Sequence, residues 1–282
     1  MHNLTRPDGT EPEDLLLSRR AVTSMFFAGY AVTALSAEAA PIVTPADGLT
    51  GEEVHISNGT PTGLPAFVAR PTGKSRHATI VVVNEIFGIH DYIKDICRRL
   101  ARLGYAAVAP DFFYRSGVNL PALSDMAEIR AIVAQAGEAQ VDGDLRAATA
   151  WIAAQRFSKP KAIGVTGFCW GGLVTWRAAM TNPDVRAGVA WYGQLKTVIP
   201  RAGELKAPVL GLYGGKDKGI PAEDVRAMGA ALDATGKTGS SIHLYPGAEH
   251  GFHADYRPSY DAAAAADGWA RMLAFFKSNG VA

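Results

Sequence analysis

KAIGVTGFCWGG, from Lys161 to Gly172, is the stretch of sequence that decides the fold. An apolar run ends just before Cys169, which stands between Gly167 and Gly171 in the pattern G-x-C-x-G. This pattern is typical of a sharp strand-to-helix turn, because the middle residue takes strained geometry and needs small neighbours. The turn points the N-terminus of the following helix at the sulfur, which favours the thiolate. Glycine-rich packing around an inert cysteine is the alternative that the pattern leaves open.

Strand-like and helix-like segments alternate on both sides of this turn. Apolar runs typical of buried strands lie at 78–84, 105–111, 161–168, 187–193, 207–215 and 240–247. Helical periodicity occurs at 91–104, 141–155, 221–236 and 259–280. Two short alternating runs at 52–57 and 64–70 predict an antiparallel hairpin, whereas 112–140 reads as irregular. The alternation predicts an α/β fold, with a mostly parallel central sheet and helices on both faces.

Composition excludes several classes of function. The 282-residue chain carries 28 basic and 27 acidic side chains, a balance that gives no argument for a nucleic-acid partner. Its two cysteines are too few for a disulfide scaffold.

Residues 1–40 differ from the rest and predict an export signal. The pair Arg19–Arg20 precedes an uncharged, moderately apolar stretch, Ala21–Ala37, which runs into the small-x-small pattern AEA. The paired arginine resembles a twin-arginine signal, with an uncleaved anchor or an amphipathic helix as alternatives. We therefore expect a signal peptide at 1–40, a single domain at 41–282, and a periplasmic or exported protein without stable membrane association after cleavage. A cytoplasmic location is the alternative.

Polar residues that directly follow the apolar runs are the candidate site residues, because ligands bind at the C-terminal ends of parallel strands. Asp217 and His250 follow two such runs, C-terminal to Cys169. Nucleophile, acid and histidine in this order is the order of α/β-hydrolases. A histidine can accept and return the thiol proton, and a carboxylate fixes its tautomer. The three residues predict a catalytic triad, although Asp217 and His250 taken singly could be turn residues.

Three further groups need an interpretation. Glu85 ends the run IVVVN, and is either a solvated loop acid or an active-site carboxylate close to the thiol. His253 and Glu249 lie near His250, but the segment reads as a loop and no third ligand cluster accompanies it. We therefore predict no metal site and no cofactor. Cys97 falls on the apolar face of a predicted helix and is expected to be inert core.

Four stretches resemble the dienelactone hydrolase family, the carboxymethylenebutenolidases. They are NEIFGIHDYIKDICRRLARLGYAAVAPDFF, GFCWGG, LYGGKD and PGAEHGFHADYRPSY. The resemblance covers roughly residues 50–280, and the combination of E-I-F-G with G-x-C-x-G-G is more specific than a general hydrolase turn. It implies the α/β-hydrolase fold, with Cys169 as nucleophile, His250 as base and Asp217 as the residue that orients it.

The resemblance also implies a role for Glu85. Substrate binding would move this carboxylate so that it takes the proton of Cys169. The oxyanion hole would be formed by the backbone N–H groups of Trp170 and Ile86, which follow the nucleophile and the acid.

The sequence departs from the family at the two arginines that hold the carboxylate of dienelactone. Ala254 and Met126 occupy the corresponding positions, and Arg257 and Arg130 are the nearest replacements. Three aromatic residues near strand ends are expected to line the pocket, with core packing as the alternative: Phe87, Trp191 and Tyr192.

The sequence therefore predicts a cysteine-dependent hydrolase of a small-molecule ester or lactone that works through an acyl-cysteine intermediate. A carboxylesterase or thioesterase acting on a neutral substrate is the nearest alternative, and a non-catalytic binding protein of the same fold is another. The expected assembly is a monomer or a small homo-oligomer.

Overall fold

The computed structural model describes residues 41–282, so the predicted signal peptide lies outside the described residues. One eight-stranded sheet runs through the molecule. Its strands are β1 (Leu49–Ile56), β2 (Leu64–Pro71), β3 (His77–Val83), β4 (Ala106–Pro110), β5 (Ser158–Phe168), β6 (Ala187–Trp191), β7 (Val209–Gly214) and β8 (Ser241–Tyr245). The α-helices of the described residues are α1 (Asp91–Arg102), α2 (Met126–Gln135), α3 (Glu138–Ala154), α4 (Trp170–Thr181), α5 (Ala222–Ala234) and α6 (Ala262–Ser278).

The strand order across the sheet is β1-β2-β4-β3-β5-β6-β7-β8. Strand β2 pairs antiparallel with both β1 and β4, which confirms the predicted hairpin at one edge. Strands β4, β3, β5, β6, β7 and β8, taken in this order, run parallel to one another. Because parallel strands end on the same side, the residues after β3, β5, β7 and β8 meet at one edge of the sheet.

Helices cover both faces of the sheet, as the sequence predicts. Neighbouring residues of a strand face opposite sides. On one face Gly164 packs against α6, where an added Cβ would lie 2.7 Å from the ring of Phe276. On the other face Gly188, which pairs with Val165, packs against α4, with an added Cβ only 3.0 Å from Thr175. The small residues of β5 and β6 therefore let both helices approach the sheet closely.

The segment 112–140 differs from the prediction, because it contains a regular helix. Asp125 caps α2, its side chain accepting a hydrogen bond from the backbone N–H of Ala127 at 2.8 Å. Only Ile129 and Ile132 of this ten-residue helix are buried, so its apolar pattern is too sparse to be recognised in the sequence. The helix packs in a small hydrophobic cluster beside Trp170 rather than in the main core.

A polar network fixes the first described residues to the body of the protein. Thr44 donates its backbone N–H to Asp95 at 2.7 Å, and Arg99 donates to the same carboxylate at 2.6 Å. Arg99 is fully buried and also pairs with Asp255. The network thus links the chain near residues 41–47 to the loop that follows β8. No helix within residues 41–282 is long and apolar enough to cross a membrane.

Candidate active site

The turn between β5 and α4 holds Cys169 in a strained conformation. Its φ of 56° and ψ of −115° are sparsely populated for a residue with a side chain. The two neighbouring glycines are required by close packing. A Cβ on Gly167 would lie 2.2 Å from the carbonyl oxygen of Gly171, and a Cβ on Gly171 would lie 2.4 Å from that of Val83. The G-x-C-x-G pattern therefore forms the sharp turn predicted for it, with Cys169 partly exposed at the end of the sheet.

His250 and Asp217 meet next to this turn. The imidazole Nδ1 of His250 lies 2.7 Å from Oδ2 of Asp217. The other carboxylate oxygen of Asp217 accepts hydrogen bonds from the backbone N–H groups of Gly219 at 2.8 Å and Ile220 at 3.1 Å. Asp217 is thereby fixed by its own loop, and it fixes the ring of His250 in turn.

The charge state of His250 follows from these contacts. Burial opposes the charged imidazolium, but hydrogen bonds to Asp217 and Cys169, together with the electrostatic effect of both groups, raise the pKa of His250 to about 10. The imidazole is consequently protonated at neutral pH, with one N–H directed at the carboxylate and the ring in contact with the sulfur.

Glu85 is completely buried two residues after β3, and three side chains surround it. The hydroxyl of Tyr256 donates a hydrogen bond to its Oε2 at 2.5 Å. Nη2 of Arg257 lies 3.1 Å from Oε1, and Nε2 of His90 lies 3.6 Å from Oε2. Burial alone would raise the pKa of Glu85, but the contacts with His90, Arg257 and Tyr256 lower it below its usual value. Glu85 is therefore an ionised, weakly basic carboxylate in this position.

The carboxylate of Glu85 is bonded to groups other than the thiol. None of its hydrogen bonds or ion pairs within residues 41–282 reaches Cys169. The solvated-loop interpretation of Glu85 does not hold, because its side chain has no exposed surface. A fully buried carboxylate whose pKa is shifted by an arginine partner is typical of a functional site rather than a surface loop.

A cavity of about 760 Å³ opens in front of Cys169. Nine of the predicted site residues line it: Ile86, Phe87, Arg130, Cys169, Trp170, Tyr192, Asp217, His250 and Arg257. Trp170 is the first residue of α4, so its N–H has no partner within the helix and is available to an oxyanion. Arg257 stacks over the ring of Phe87 at 5.0 Å, which holds its guanidinium between Glu85 and the cavity.

Trp191 is not among the lining residues, which corrects the prediction that it contacts substrate. It is fully buried, stacks on Phe168 at 5.6 Å, and donates its Nε1–H to Thr166 at 3.1 Å. Successive side chains at the end of β6 point in different directions. Tyr192 reaches the cavity, and Trp191 packs against α6, where an added Cβ on Gly268 would lie 2.6 Å from its ring.

Positive charge gathers at the mouth of the cavity. Arg130, Lys216 and Lys218 line it and are exposed, whereas Glu249 is the exposed acid there. Sequence reasoning did not identify the two lysines, although both flank Asp217. It also did not identify Tyr256 as a partner of Glu85, and no sequence signal distinguishes this tyrosine from other loop tyrosines.

The remaining candidates have structural roles. His253 is fully buried, its Nδ1 lies 2.6 Å from the hydroxyl of Tyr92, and its ring stacks on Trp269. Cys97 is fully buried on α1, in agreement with the prediction of a core residue. The part of the chain that the structure describes contains no group of three or more His, Cys, Asp or Glu side chains able to hold a metal ion.

Comparison with known proteins found a matching family, similar curated proteins and similar solved structures. The model of the dienelactone hydrolase family matches residues 64–280. A Methylorubrum extorquens protein that bears the name carboxymethylenebutenolidase is 45% identical over 280 residues, 94% of each chain. An Escherichia coli K12 protein of the same name is 41% identical, with 89% of this chain and 96% of the relative aligned. A crystal structure described as a dienelactone hydrolase from Klebsiella pneumoniae superimposes with a TM-score of 0.77 at 40% identity, covering 82% of this chain and 99% of the other.

Proposed function

The chain belongs to the dienelactone hydrolase family, and we propose that it hydrolyses a small-molecule ester or lactone through an acyl intermediate on Cys169. The observation that carries the proposal is the convergence of three strand ends in one cavity. Cys169 stands on a strained turn there, in contact with His250, and Asp217 holds the far side of the imidazole at 2.7 Å. Nucleophile, proton carrier and orienting carboxylate are together in the arrangement that acyl transfer requires.

Acylation begins when the thiolate sulfur attacks the carbonyl carbon. A C–S bond forms, and the carbonyl oxygen takes a negative charge that the N–H groups of Trp170 and Ile86 stabilise. When the bond to the leaving oxygen breaks, the imidazolium of His250 gives that oxygen its proton. In a lactone the resulting alcohol stays attached to the acyl group.

Deacylation uses the same histidine in the opposite direction. His250, now neutral, takes a proton from water while the water oxygen attacks the thioester carbon. The C–S bond then breaks, a carboxylic acid product leaves, and the sulfur departs as thiolate. One water is consumed for each ester bond, and the enzyme regains its starting protonation.

His250 and Glu85 are the two candidate bases for the thiol. The pKa of His250 is raised partly by its hydrogen bond to Cys169, so the imidazolium stabilises a thiolate beside it. We assign the removal of the thiol proton to Glu85, the role that the family resemblance implies. While Arg257 and Tyr256 hold it, its pKa is lowered and it is a poor base. Once it leaves them, burial raises its pKa and makes it a stronger base.

Arg257 links substrate binding to the release of Glu85. An anionic group of the substrate competes with Glu85 for the guanidinium, which lines the cavity and has one face on Phe87. The cations at the mouth of the cavity favour the entry of such a substrate. We therefore favour a carboxylated lactone or ester over a neutral ester.

A substrate panel tests the proposal. The purified protein is assayed with dienelactone, with neutral lactones and with simple aryl esters, each beside Cys169→Ala. We expect turnover of dienelactone that the variant lacks, and weaker turnover of neutral esters. Activity that survives in Cys169→Ala would refute the acyl-cysteine route, whereas equal rates on charged and neutral esters would refute only the preference for an anion.

We further propose that the protein is exported with the help of residues 1–40. The paired arginines and the apolar stretch after them support this proposal. Intact-mass measurement of the protein from a periplasmic extract is the test. A chain that still begins near Met1 would contradict cleavage of the signal.

A further inference from the structure

Tyr192 combines two features that core packing does not explain. Its φ is +40°, and Cys169 and Lys161 are the other non-glycine residues with positive φ within residues 41–282. Its hydroxyl is buried without a hydrogen bond. Strained backbone and unpaired buried polar groups are both concentrated at functional sites.

The backbone turn at Tyr192 is imposed by close packing with α4. The N–H of Tyr192 bonds to the carbonyl of Leu212 at 2.8 Å, and a Cβ on Gly193 would lie only 2.3 Å from the carbonyl carbon of Gly172. Glycine or asparagine would adopt this conformation more easily than an aromatic residue. An aromatic side chain at this strained position therefore indicates that the tyrosine itself has a functional role.

The ring alone does not account for a tyrosine. It packs edge-to-face on His250 at 5.2 Å and on Phe252 at 5.3 Å, and phenylalanine would make both contacts. The hydroxyl is the difference. Of the buried side-chain polar atoms without a hydrogen bond in residues 41–282, this oxygen alone belongs to a residue that lines the cavity of Cys169.

The hydroxyl of Tyr192 interacts electrostatically with both groups that must exchange a proton. Burial, and after it the charge of Glu85, holds the pKa of Tyr192 well above its usual value. Cys169 makes a smaller contribution in the same direction, and the positive charge of Arg257 opposes it. The hydroxyl is thus protonated over the whole working range and is always able to donate. Both the carboxylate and the sulfur lie near enough to influence it.

The carboxylate of Glu85 needs a new hydrogen-bond donor if it moves toward Cys169. When Glu85 turns from Arg257 and Tyr256, it gives up the contacts that stabilise its charge in a buried position, and an unpaired buried carboxylate is strongly disfavoured. We propose that the Tyr192 hydroxyl is the donor that receives the Glu85 carboxylate when it turns toward Cys169. This role makes Tyr192 a positioning residue, and it rests on the proposed function of Glu85 as base for the thiol.

Alkylation of Cys169 tests this role without a known substrate. Iodoacetate carries a carboxylate that can compete for Arg257, and its reaction with sulfur reports thiolate formation. Rate constants at pH 7 are measured for wild type, Tyr192→Phe, Glu85→Gln and the double variant, with peptide mapping to confirm the labelled cysteine. We expect Tyr192→Phe to react about tenfold more slowly, as for loss of a hydrogen bond to a charged group.

The double variant distinguishes the possible roles of the hydroxyl. Because Tyr192 acts through Glu85, the double variant should react no more slowly than Glu85→Gln alone. If the two losses multiply, the hydroxyl contacts the reagent instead and the inference is overturned. A wild-type rate in Tyr192→Phe also overturns it. A wild-type rate in Glu85→Gln refutes the proposed base itself, and the inference falls with it.

Tyr213→Phe is the matched control. Tyr213 is also fully buried, but its hydroxyl accepts a hydrogen bond from Nε1 of Trp176 at 2.9 Å and does not line the cavity. This variant should lose stability and keep the wild-type alkylation rate. Denaturant unfolding of all variants shows whether a slower rate arises from a damaged fold.

Discussion

The two cysteines of the chain occupy opposite environments. Cys97 lies on α1, fully buried among apolar side chains, and burial holds the pKa of its thiol well above the usual value. Cys169 lies on the turn between β5 and α4, partly exposed, with the positive end of a helix and a histidine beside it. Thiol chemistry is identical in both. Position at a strand end, rather than residue type, therefore separates a catalytic candidate from a core residue.

The comparison also shows how the fold divides its two tasks. The face of α1 that carries Cys97 contributes apolar contacts to the core. The turn that carries Cys169 gives up relaxed backbone geometry to place one side chain in a cavity. Each of the following changes is expected to affect one region and spare the other.

The largest effect is expected on turnover. Cys169→Ala removes the proposed nucleophile and should lower ester hydrolysis by at least about a thousandfold, as for other nucleophile deletions. Cys97→Ala, measured in the same assay, should stay within about twofold because α1 does not touch the cavity. Circular dichroism shows whether both variants are folded. If both are folded and lose the same turnover, the distinction between the two cysteines is wrong.

Labelling of the native protein should separate the cysteines by about a hundredfold or more. Iodoacetamide reaches Cys169 directly, whereas Cys97 becomes accessible only when α1 opens, and core elements open rarely. Mass spectrometry of timed digests gives the two rates. Comparable rates in folded protein would show that α1 opens freely and that burial does not protect Cys97.

The pH dependence of stability should fall into two windows. His250 has a raised pKa of about 10, so its contribution is complete below the unfolded value near 6.5 and is lost as pH rises through 10. The thiol of Cys97 also has a raised pKa, so its contribution begins to fall only as pH passes the unfolded value of about 9. Each proton adds a slope of at most about 1.4 kcal/mol per pH unit.

Two variants show which residue causes the loss of stability in each pH range. Urea unfolding of His250→Gln should show a flatter profile between about pH 6.5 and 10, and Cys97→Ala should flatten only the part above about pH 9. A wild-type slope that begins below pH 9 and survives in His250→Gln would contradict the ion pair with Asp217.

The smallest effect is expected from Cys97→Ser. A hydroxyl replaces the thiol among apolar side chains, and burying it unpaired should lower the free energy of unfolding by roughly 1–3 kcal/mol. Turnover at a temperature where the variant is folded should match wild type. A loss of activity without a loss of stability would show that α1 influences the cavity in a way that its contacts do not suggest.

Much of the fold could be predicted from the sequence, because its strands are buried on both faces. The run from Ala78 to Asn84 contains little but β-branched residues, and β3 occupies nearly the same positions. The helix α2 could not be predicted, since only two of its residues are buried. Trp191 could not be assigned either, because an aromatic residue at a strand end fits the core and the cavity equally well.

The sequence by itself determined the elements that depend on local chain geometry. The glycines around Cys169 form a turn that no larger residue allows, and the order of Cys169, Asp217 and His250 along the chain follows the order of the strands. These features can be predicted from the sequence because a turn and a strand end each depend on a few consecutive residues. The family resemblance rests on the same local motifs.

Only the tertiary structure decided what surrounds Glu85. Tyr256 lies 171 positions from it in the chain, yet donates a hydrogen bond to its carboxylate. Arg257, which the sequence led us to expect in substrate binding, forms an ion pair with Glu85. The hydroxyl of Tyr192 is buried and makes no hydrogen bond. The physical reason is that loops leaving distant strands meet at the same edge of the sheet. No pattern within any one segment records which of their side chains come into contact.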